Sequence, residues 1–286
     1  MENSVRSQVT TGRDVGQADR REMENSVRFQ AATGLQAGRI IIPARLSSSR
    51  LPGKLLLRNT GKSVLQHTYE SAMQSIYSEG ICVATTVDEI RKEVESFGGN
   101  VVMTGPAENG TERVAMATSQ IGDHADVDII INVQADEPEI KGSLIDLAVK
   151  LLIENPSDVM STIASPICSL SQLTNPACVK VVLDHNNRAL YFSRNPIPYP
   201  TLLDGPELLK SSFYRHVGIY AYRRDFLLEL VRYPQCQIEI MESLEQLRAL
   251  YTGHKILVGI ADEPTYGIDT ADDYAAFVAR FNSPTA

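Results

Sequence analysis

From residue 39 onward, short apolar runs alternate with longer segments whose apolar positions recur at helical spacing. Ile40, Ile41 and Ile42 form a run that stops at Pro43, which reads as a buried strand bounded by a breaker. The segment 63–78 puts Val64, Leu65, Tyr69, Ala72, Met73 and Ile76 on one side of a helix. The same reading predicts strands over 80–85, 100–103 and 127–133, and helices over 87–97, 110–121 and 143–155. Gly98-Gly99 ends the helix at 87–97. Alternation of this kind predicts an α/β fold, a mostly parallel sheet with helices on both faces. Ligands on such sheets bind beyond the carboxyl ends of the strands. The turns to inspect are therefore 43–54, 85–88, 104–113 and 134–138.

The pattern then changes. Segments 158–166, 179–183, 189–193 and 216–223 read as strands separated by Pro and Asn turns. The stretch 195–206 holds four Pro residues and one Gly, the composition of a loop. A smaller β-rich subdomain at about 158–235, inserted into or appended to the parallel sheet, is expected. A helix over 243–251 and a strand over 255–260 follow. A last helix over 270–281 opens with Asp269 or Thr270 as its N-cap.

Residues 1–38 are different material: polar, rich in Arg, Gln, Gly and Thr, and without apolar periodicity. They also hold a duplication, since 1–17 (MENSVRSQVTTGRDVGQ) matches 23–39 (MENSVRFQAATGLQAGR). No apolar core of a secretory signal is present, and the Asp and Glu residues speak against a mitochondrial transit peptide. The tail is expected to be disordered, with the folded domain at 39–286. Two origins are open for the upstream copy: an alternative start at Met23, or a local duplication.

The 286 residues suffice for one large α/β domain, and 43% apolar with 22% charged residues is ordinary for a globular protein. A net charge of −8 argues against a general nucleic-acid binder, though a local basic loop can still take a small anion. No apolar run approaches the length of a membrane span. Cys82, Cys168, Cys178 and Cys236 are scattered, with neither a CxxC pair nor zinc spacing, and read as buried free thiols in a reducing compartment.

Against this background the loop after the first strand stands out. Arg45, Arg50 and Lys54 lie among small and hydroxyl residues. Arg forks, a Lys ammonium, Ser hydroxyls and backbone N–H groups suit a polyphosphate, while a solvated basic turn is the plain alternative. Asp136, in Gln134-Ala135-Asp136-Glu137-Pro138 after the most apolar strand, is placed either to hold Mg²⁺ or to start a helix. Asp269, in Gly267-Ile268-Asp269-Thr270, is either a helix cap or a second magnesium ligand. The 109–113 turn, Asn109 to Arg113, can present backbone and hydroxyl groups to a base or ribose, or merely cap a helix. Ser193-Arg194 and the 215–220 stretch carry cations and hydroxyls that suit a carboxylated sugar, although a lone His is more often structural. The stretch EIMESLEQLR at 239–248 brings Glu239, Glu242, Glu245 and Gln246 near one another on a helix, either as a solvated acidic face or as acceptors for sugar hydroxyls.

Together these blocks resemble the 3-deoxy-manno-octulosonate (Kdo) cytidylyltransferase family. IIPAR…SRLPGK, GTER, the NVQ and DEP pieces around Ala135, ALYFSR, RHVGIY and ESLEQLR occur in that order from Arg39 to the last helix. The opening block is shared more loosely by other sugar nucleotidyltransferases; ALYFSR, RHVGIY and ESLEQLR are the specific ones. The resemblance implies a Rossmann-like nucleotidyltransferase sheet, with the β-rich part serving sugar binding and dimerisation. It implies transfer of CMP from CTP to Kdo with release of pyrophosphate. It also implies Mg²⁺, a cytoplasmic homodimer and supply of activated Kdo for lipopolysaccharide. Carried onto this chain, Ala44, Arg45, Arg50, Lys54, Thr111 and Gln134 contact CTP, and Asp136 and Asp269 hold the metal. Arg45, Lys54, Asp136 and Asp269 form the catalytic set, and Arg194, His216, Tyr220, Glu242 and Gln246 surround the sugar. This chain has Ala135 where the family usually has Gly, Asn109 where it has Ser, and Thr86 where it often has Asp. Two other readings compete: a cytidylyltransferase for another sugar acid (8-amino-Kdo or sialic acid), and a non-catalytic sugar-nucleotide binder. The second predicts loss of a metal carboxylate or a phosphate cation, and all of them are present.

Overall fold

Ile40, Ile41 and Ile42 are all fully buried, so strand β1 (Arg39–Pro43) is covered on both faces. That is the behaviour of a central parallel strand. In the computed structural model, which describes residues 38–48, 50–77, 80–121, 128–200, 206–262 and 265–283, β1 is flanked by two parallel neighbours. They are β2 (Cys82–Thr85) on one side and β4 (Ile129–Val133) on the other. The tail at 1–37 with its repeat, Ser49 of the basic loop and 201–205 of the proline-rich loop lie outside the described residues. Beyond β2 lies β3 (Val101–Met103), also parallel.

Helices cover both faces of this half. On one face Ile40, Ile42, Ile131 and Val133 pack with α1 (Val64–Ala72) and α4 (Gly142–Glu154). On the other, Ile41 and Ile130 pack with α3 (Gly110–Gln120) and with α7 (Arg224–Leu230), a helix the sequence pattern did not predict. Helix α2 (Asp88–Ser96) joins β2 to β3.

The expected β-rich subdomain is largely absorbed into the same sheet. Strand β8 (Tyr214–Arg223) lies antiparallel between β4 and β5 (Met160–Pro166), and β9 (Ile256–Ile260) adds parallel to β5. Only β6 (Lys180–Leu183) and β7 (Ala189–Ser193) branch off, as an antiparallel pair joined to the start of β8. The strand order is β3-β2-β1-β4-β8-β5-β9, so the chain reverses its direction of travel between β1 and β4. Such a reversal opens a crevice at the carboxyl ends of the two strands. Short helices α5 (Leu170–Thr174), α6 (Pro206–Ser212), α8 (Gln237–Glu242) and α9 (Leu247–Tyr251) and the terminal α10 (Ala271–Asn282) complete the described chain. No helix among the described residues is long and apolar enough to cross a membrane.

Three local expectations are corrected. Cys168 is exposed, whereas Cys82 and Cys236 are buried, and burial pushes the Cys82 thiol up to about 11. The helix expected over 243–251 begins only at Leu247, and the 239–248 stretch spans two helices, because Ser243 turns left-handed (φ 52°) and sends Leu244 and Leu247 into the core. Helix α1 stops at Ala72, not at 78, leaving Met73 and Ile76 exposed at 52% and 42%. The cause of the last is tertiary. The Asp146 carboxylate on α4 accepts hydrogen bonds from the Ser75 hydroxyl (2.6 Å) and the Ile76 N–H (3.2 Å), pulling the chain out of helix.

Gly142, where α4 begins, makes that approach possible. A Cβ there would lie 2.4 Å from the Gln74 carbonyl carbon and 2.5 Å from the Ser75 nitrogen. Both are backbone atoms that cannot step aside. Gly142→Ala is expected to lower unfolding stability by roughly 1–3 kcal/mol, seen as a lower urea midpoint at unchanged slope. An unaltered midpoint would show that the two segments are not in contact.

Candidate active site

The crevice between β1 and β4 is a cleft of about 630 Å³ lined by Pro43, Arg45, Ser47, Ser48, Arg50, Lys54, Leu55, Gln134, Ala135, Asp136 and Asp269. Two strand ends and one distant turn thus meet, joined by the Ile268 N–H donating to the Asp136 carbonyl at 2.8 Å. Ala44 is buried, its N–H bound to the Ala84 carbonyl (2.9 Å), and anchors the start of the basic loop. Arg45 and Arg50 are exposed. The loop ends at Gly53, whose left-handed conformation (φ 67°) starts the 3₁₀ turn Lys54–Leu56 and turns the chain at Lys54.

Lys54 is the focus of the cleft. Its ammonium donates to Asp136 Oδ2 at 2.6 Å, to the Ile268 carbonyl at 2.6 Å and to Asp269 Oδ1 at 3.2 Å. Arg50 adds a second cation 3.0 Å from Asp269 Oδ1. The two readings of Asp269 are resolved: Thr270 caps α10, its hydroxyl accepting from the Asp273 N–H. The Asp273 carboxylate in turn takes the N–H groups of Asp269 (3.1 Å) and Thr270 (2.8 Å). The Asp269 side chain is therefore free to face the cleft.

Asp136 and Asp269 both reach one point of positive charge, so they have the spacing to address one cation. Among the described residues no group of three or more His, Cys, Asp or Glu side chains forms a metal cage. Two carboxylates beside a basic loop have donor chemistry that fits a magnesium ion with its remaining ligands from substrate and water.

Glu137 is the residue that the sequence reading missed, although it quoted the motif. Its Oε1 lies against the backbone of Gly267 and Gly218, where added Cβ atoms would come within 2.8 and 3.8 Å. Its Oε2 is buried without a hydrogen-bond partner. Burial, together with the Asp136 and Asp269 carboxylates, pushes its carboxyl up to about 8, against the pull of Arg215 and Lys54. The signal lay in the two glycines of the quoted RHVGIY and Gly267 turns, but only the fold brings them together.

The sugar-side candidates gather beside the cleft. His216 Nε2 is 2.9 Å from the Thr162 hydroxyl, and its ring sits between Phe192 and Tyr220 with centroids 5.3 and 5.1 Å away. Tyr220 donates to Gln246 Oε1 (3.1 Å), while Gln246 Nε2 is buried without a partner. Glu242 accepts from the Ser193 hydroxyl (2.6 Å) and the Arg194 N–H (2.9 Å). The Arg194 guanidinium is held by the carbonyls of Glu242 (2.7 Å), Pro176 (3.0 Å) and Ser243 (3.3 Å). None of these five lines the basic cleft itself; Gln134 links the two regions. It lines the cleft, and its Cγ would lie 2.9 Å from a Cβ on Gly218, between His216 and Tyr220 in β8. A bulge in β8, where pairing jumps from Thr162↔Tyr220 to Ile163↔Val217, makes this approach.

Outside the cleft lining, Asn109 caps α3 through the Glu112 N–H (2.9 Å). Asn thus fills the capping role that Ser would. Thr111, expected at the nucleoside, has its N–H and hydroxyl committed to Glu245 at 2.9 and 2.6 Å.

The comparisons with known proteins agree with this geometry. The cytidylyltransferase family model matches residues 39–256. A 3-deoxy-manno-octulosonate cytidylyltransferase of Rhodopirellula baltica is 44% identical over 85% of this chain and 98% of its own length. The one from Francisella philomiragia is 44% identical over 82% of this chain and 94% of its own. A solved structure described as CMP:2-keto-3-deoxy-manno-octonic acid synthetase complexed with CTP superposes with a TM-score of 0.76. It is 38% identical and covers 85% of this chain and 97% of that one.

Burial drives the His216 imidazole down to about 3 from an ordinary 6.5, so the folded protein holds it neutral. The unfolded chain binds the proton more readily. His216 should therefore contribute stability that is intact above pH 6.5 and falls as pH drops from 6.5 toward 3. Thermal midpoints measured across that window should decline less steeply for His216→Gln than for the unaltered protein. Equal slopes would mean that the ring is not buried.

Proposed function

The chain belongs to the 3-deoxy-manno-octulosonate cytidylyltransferase family, and we propose that it transfers the CMP group of CTP to Kdo, giving CMP-Kdo and pyrophosphate. The observation that carries this reading is the meeting of Lys54 with Asp136 and Asp269 at the mouth of a basic cleft. A nucleoside triphosphate needs cations along its phosphates and a metal at the reacting phosphorus, and one crevice offers both sets of groups.

Arg45, Arg50 and Lys54 bind the triphosphate and neutralise the charge that builds on the departing pyrophosphate. Ala44, Gln134 and the 109–113 turn border the nucleoside. The Thr111 hydroxyl and N–H are already held by Glu245, so that turn contributes its shape. Arg194, His216, Tyr220, Glu242 and Gln246 surround the sugar acid, where the buried and unpartnered Gln246 Nε2 offers a donor to a substrate oxygen. The anomeric C2 hydroxyl oxygen of Kdo attacks the α-phosphorus in line. The bond from that phosphorus to the α–β bridging oxygen breaks, pyrophosphate leaves, and the hydroxyl proton passes to solvent. Alignment and charge neutralisation supply most of the acceleration in such transfers.

Asp136 and Asp269 would hold Mg²⁺. When bound, that ion would supply Lewis-acid neutralisation of the phosphate oxygens. A neutral imidazole at His216 suits it to accept or donate one hydrogen bond to the sugar without adding charge. The enzyme acts as a homodimer in the cytoplasm and feeds lipopolysaccharide assembly. Support for this comes from the family resemblance and from exposed apolar side chains such as Leu190 and Met241, 60% and 76% accessible, of the kind subunit contacts cover.

Pyrophosphate release from CTP is expected to require both Kdo and Mg²⁺. Asp136→Ala should cut magnesium-dependent turnover by about a hundredfold or more. Full turnover in that variant would sink the metal assignment. Arg50→Ala should raise KM for CTP about tenfold, the loss of one charge-assisted contact. If it changed only the Kdo dependence, the basic loop would belong to the sugar.

A further inference from the structure

Glu245, in the acidic stretch 239–248, is given no substrate contact above, yet it reaches the 109–113 turn. It lies in the turn 243–246 between α8 and α9. Its Oε1 accepts the Gly110 N–H at 3.2 Å, and its Oε2 accepts the Thr111 N–H at 2.9 Å and the Thr111 hydroxyl at 2.6 Å. A carboxylate at a helix N-terminus is favoured by the helix dipole, and bonds to it are the stronger, charge-assisted kind. Asn109 caps the Glu112 N–H, and Glu245 takes the two amides before it. The Glu245 bonds fix the first turn of α3 to a separate part of the chain 134 and 135 positions away.

The contacts continue in two directions. At Gly110 the turn packs on Pro43, whose Cγ would lie 3.5 Å from a Cβ there, and Pro43 lines the basic cleft. From the neighbouring residue, Gln246 receives the Tyr220 hydroxyl at 3.1 Å. Consecutive residues, Glu245 and Gln246, therefore hold the nucleotide rim and the sugar side. Their support is rigid, since the buried carboxylate of Glu239 on α8 binds Arg248 of α9 through Nε (2.8 Å) and Nη2 (2.6 Å). A shift of the 243–246 turn must move both substrate walls together.

We infer that Glu245 is a positioning residue that couples the two substrate subsites, so that filling one orders the other. This rests on the assignment of CTP to the cleft and of the sugar acid to the Tyr220–Gln246 side. Hydrogen exchange on the full chain tests it without turnover. Kdo alone should slow exchange of the Gly110 and Thr111 amides, and CTP alone should slow the 239–248 segment, each by about fivefold, the low end of common couplings. In Glu245→Gln the direct protection should remain, with CTP still covering 44–54 and Kdo still covering 214–223. The cross-protection should vanish, and KM should rise for both substrates with a smaller change in kcat. Thr111→Val keeps two of the three bonds and should lose only part of the cross-protection, which keeps the test open if Glu245→Gln folds poorly. Cross-protection that survives in Glu245→Gln, or is missing from the unaltered protein, overturns the coupling. Failure of either ligand to protect even its own segment would overturn the substrate assignment instead, and the inference with it.

Discussion

An ammonium held by two carboxylates and a carbonyl is the interaction around which this site is organised. Lys54, Asp136 and Asp269 come from three stretches of chain, and each approaches the common point from a different element. Without Lys54, two carboxylates and the nearby Glu137 would face one another across a partly dehydrated cleft. Like charges at that range are costly. Burial raises the Glu137 carboxyl most, and the Asp136 and Asp269 carboxylates add to it. An acidic cluster of this kind gains from added positive charge, and Lys54 and Arg50 supply it at Asp136 and Asp269.

The sheet makes that convergence possible. Because the order runs β3-β2-β1-β4, the loops after β1 and β4 diverge and leave a crevice between them. The antiparallel β8 beside β4 then brings a strand with the opposite sense to the same edge. Its bulge around Gly218 lets Gln134 and Glu137 lie close against backbone, where a side chain would intrude. Parallel strands alone would have supplied a crevice at the strand ends. The reversed strand adds His216 and Tyr220 beside it.

Much of the polar chemistry beneath the site is committed internally. Arg194 spends its guanidinium on three carbonyls, Glu242 takes a hydroxyl and an amide, and Thr111 is bound to Glu245. These groups set shape, since a satisfied buried network holds its members in one arrangement. Near the site, Gln246 Nε2, Glu137 Oε2 and Asn132 Nδ2 are buried without partners and mark where the network ends.

The sequence by itself determined the parallel half of the fold. Runs such as Ile40–Ile42 and Ile129–Val133 are apolar throughout, and strands buried on both faces have no other way to read. It also named the basic loop and the acidic turns, because Arg, Lys and Asp beside strand ends carry their chemistry in their side chains. The tertiary structure decided what local pattern could not encode. It ended α1 early, because Asp146 on another helix captures Ser75 and Ile76. It delayed the helix expected over 243–251 to Leu247, the left-handed Ser243 letting Leu244 and Leu247 be buried. It drew β5 and β8 into the main sheet and freed Asp269 from capping by giving that task to Thr270. Each of these outcomes depends on a partner far away in sequence, and periodicity reports only what neighbours along the chain can do.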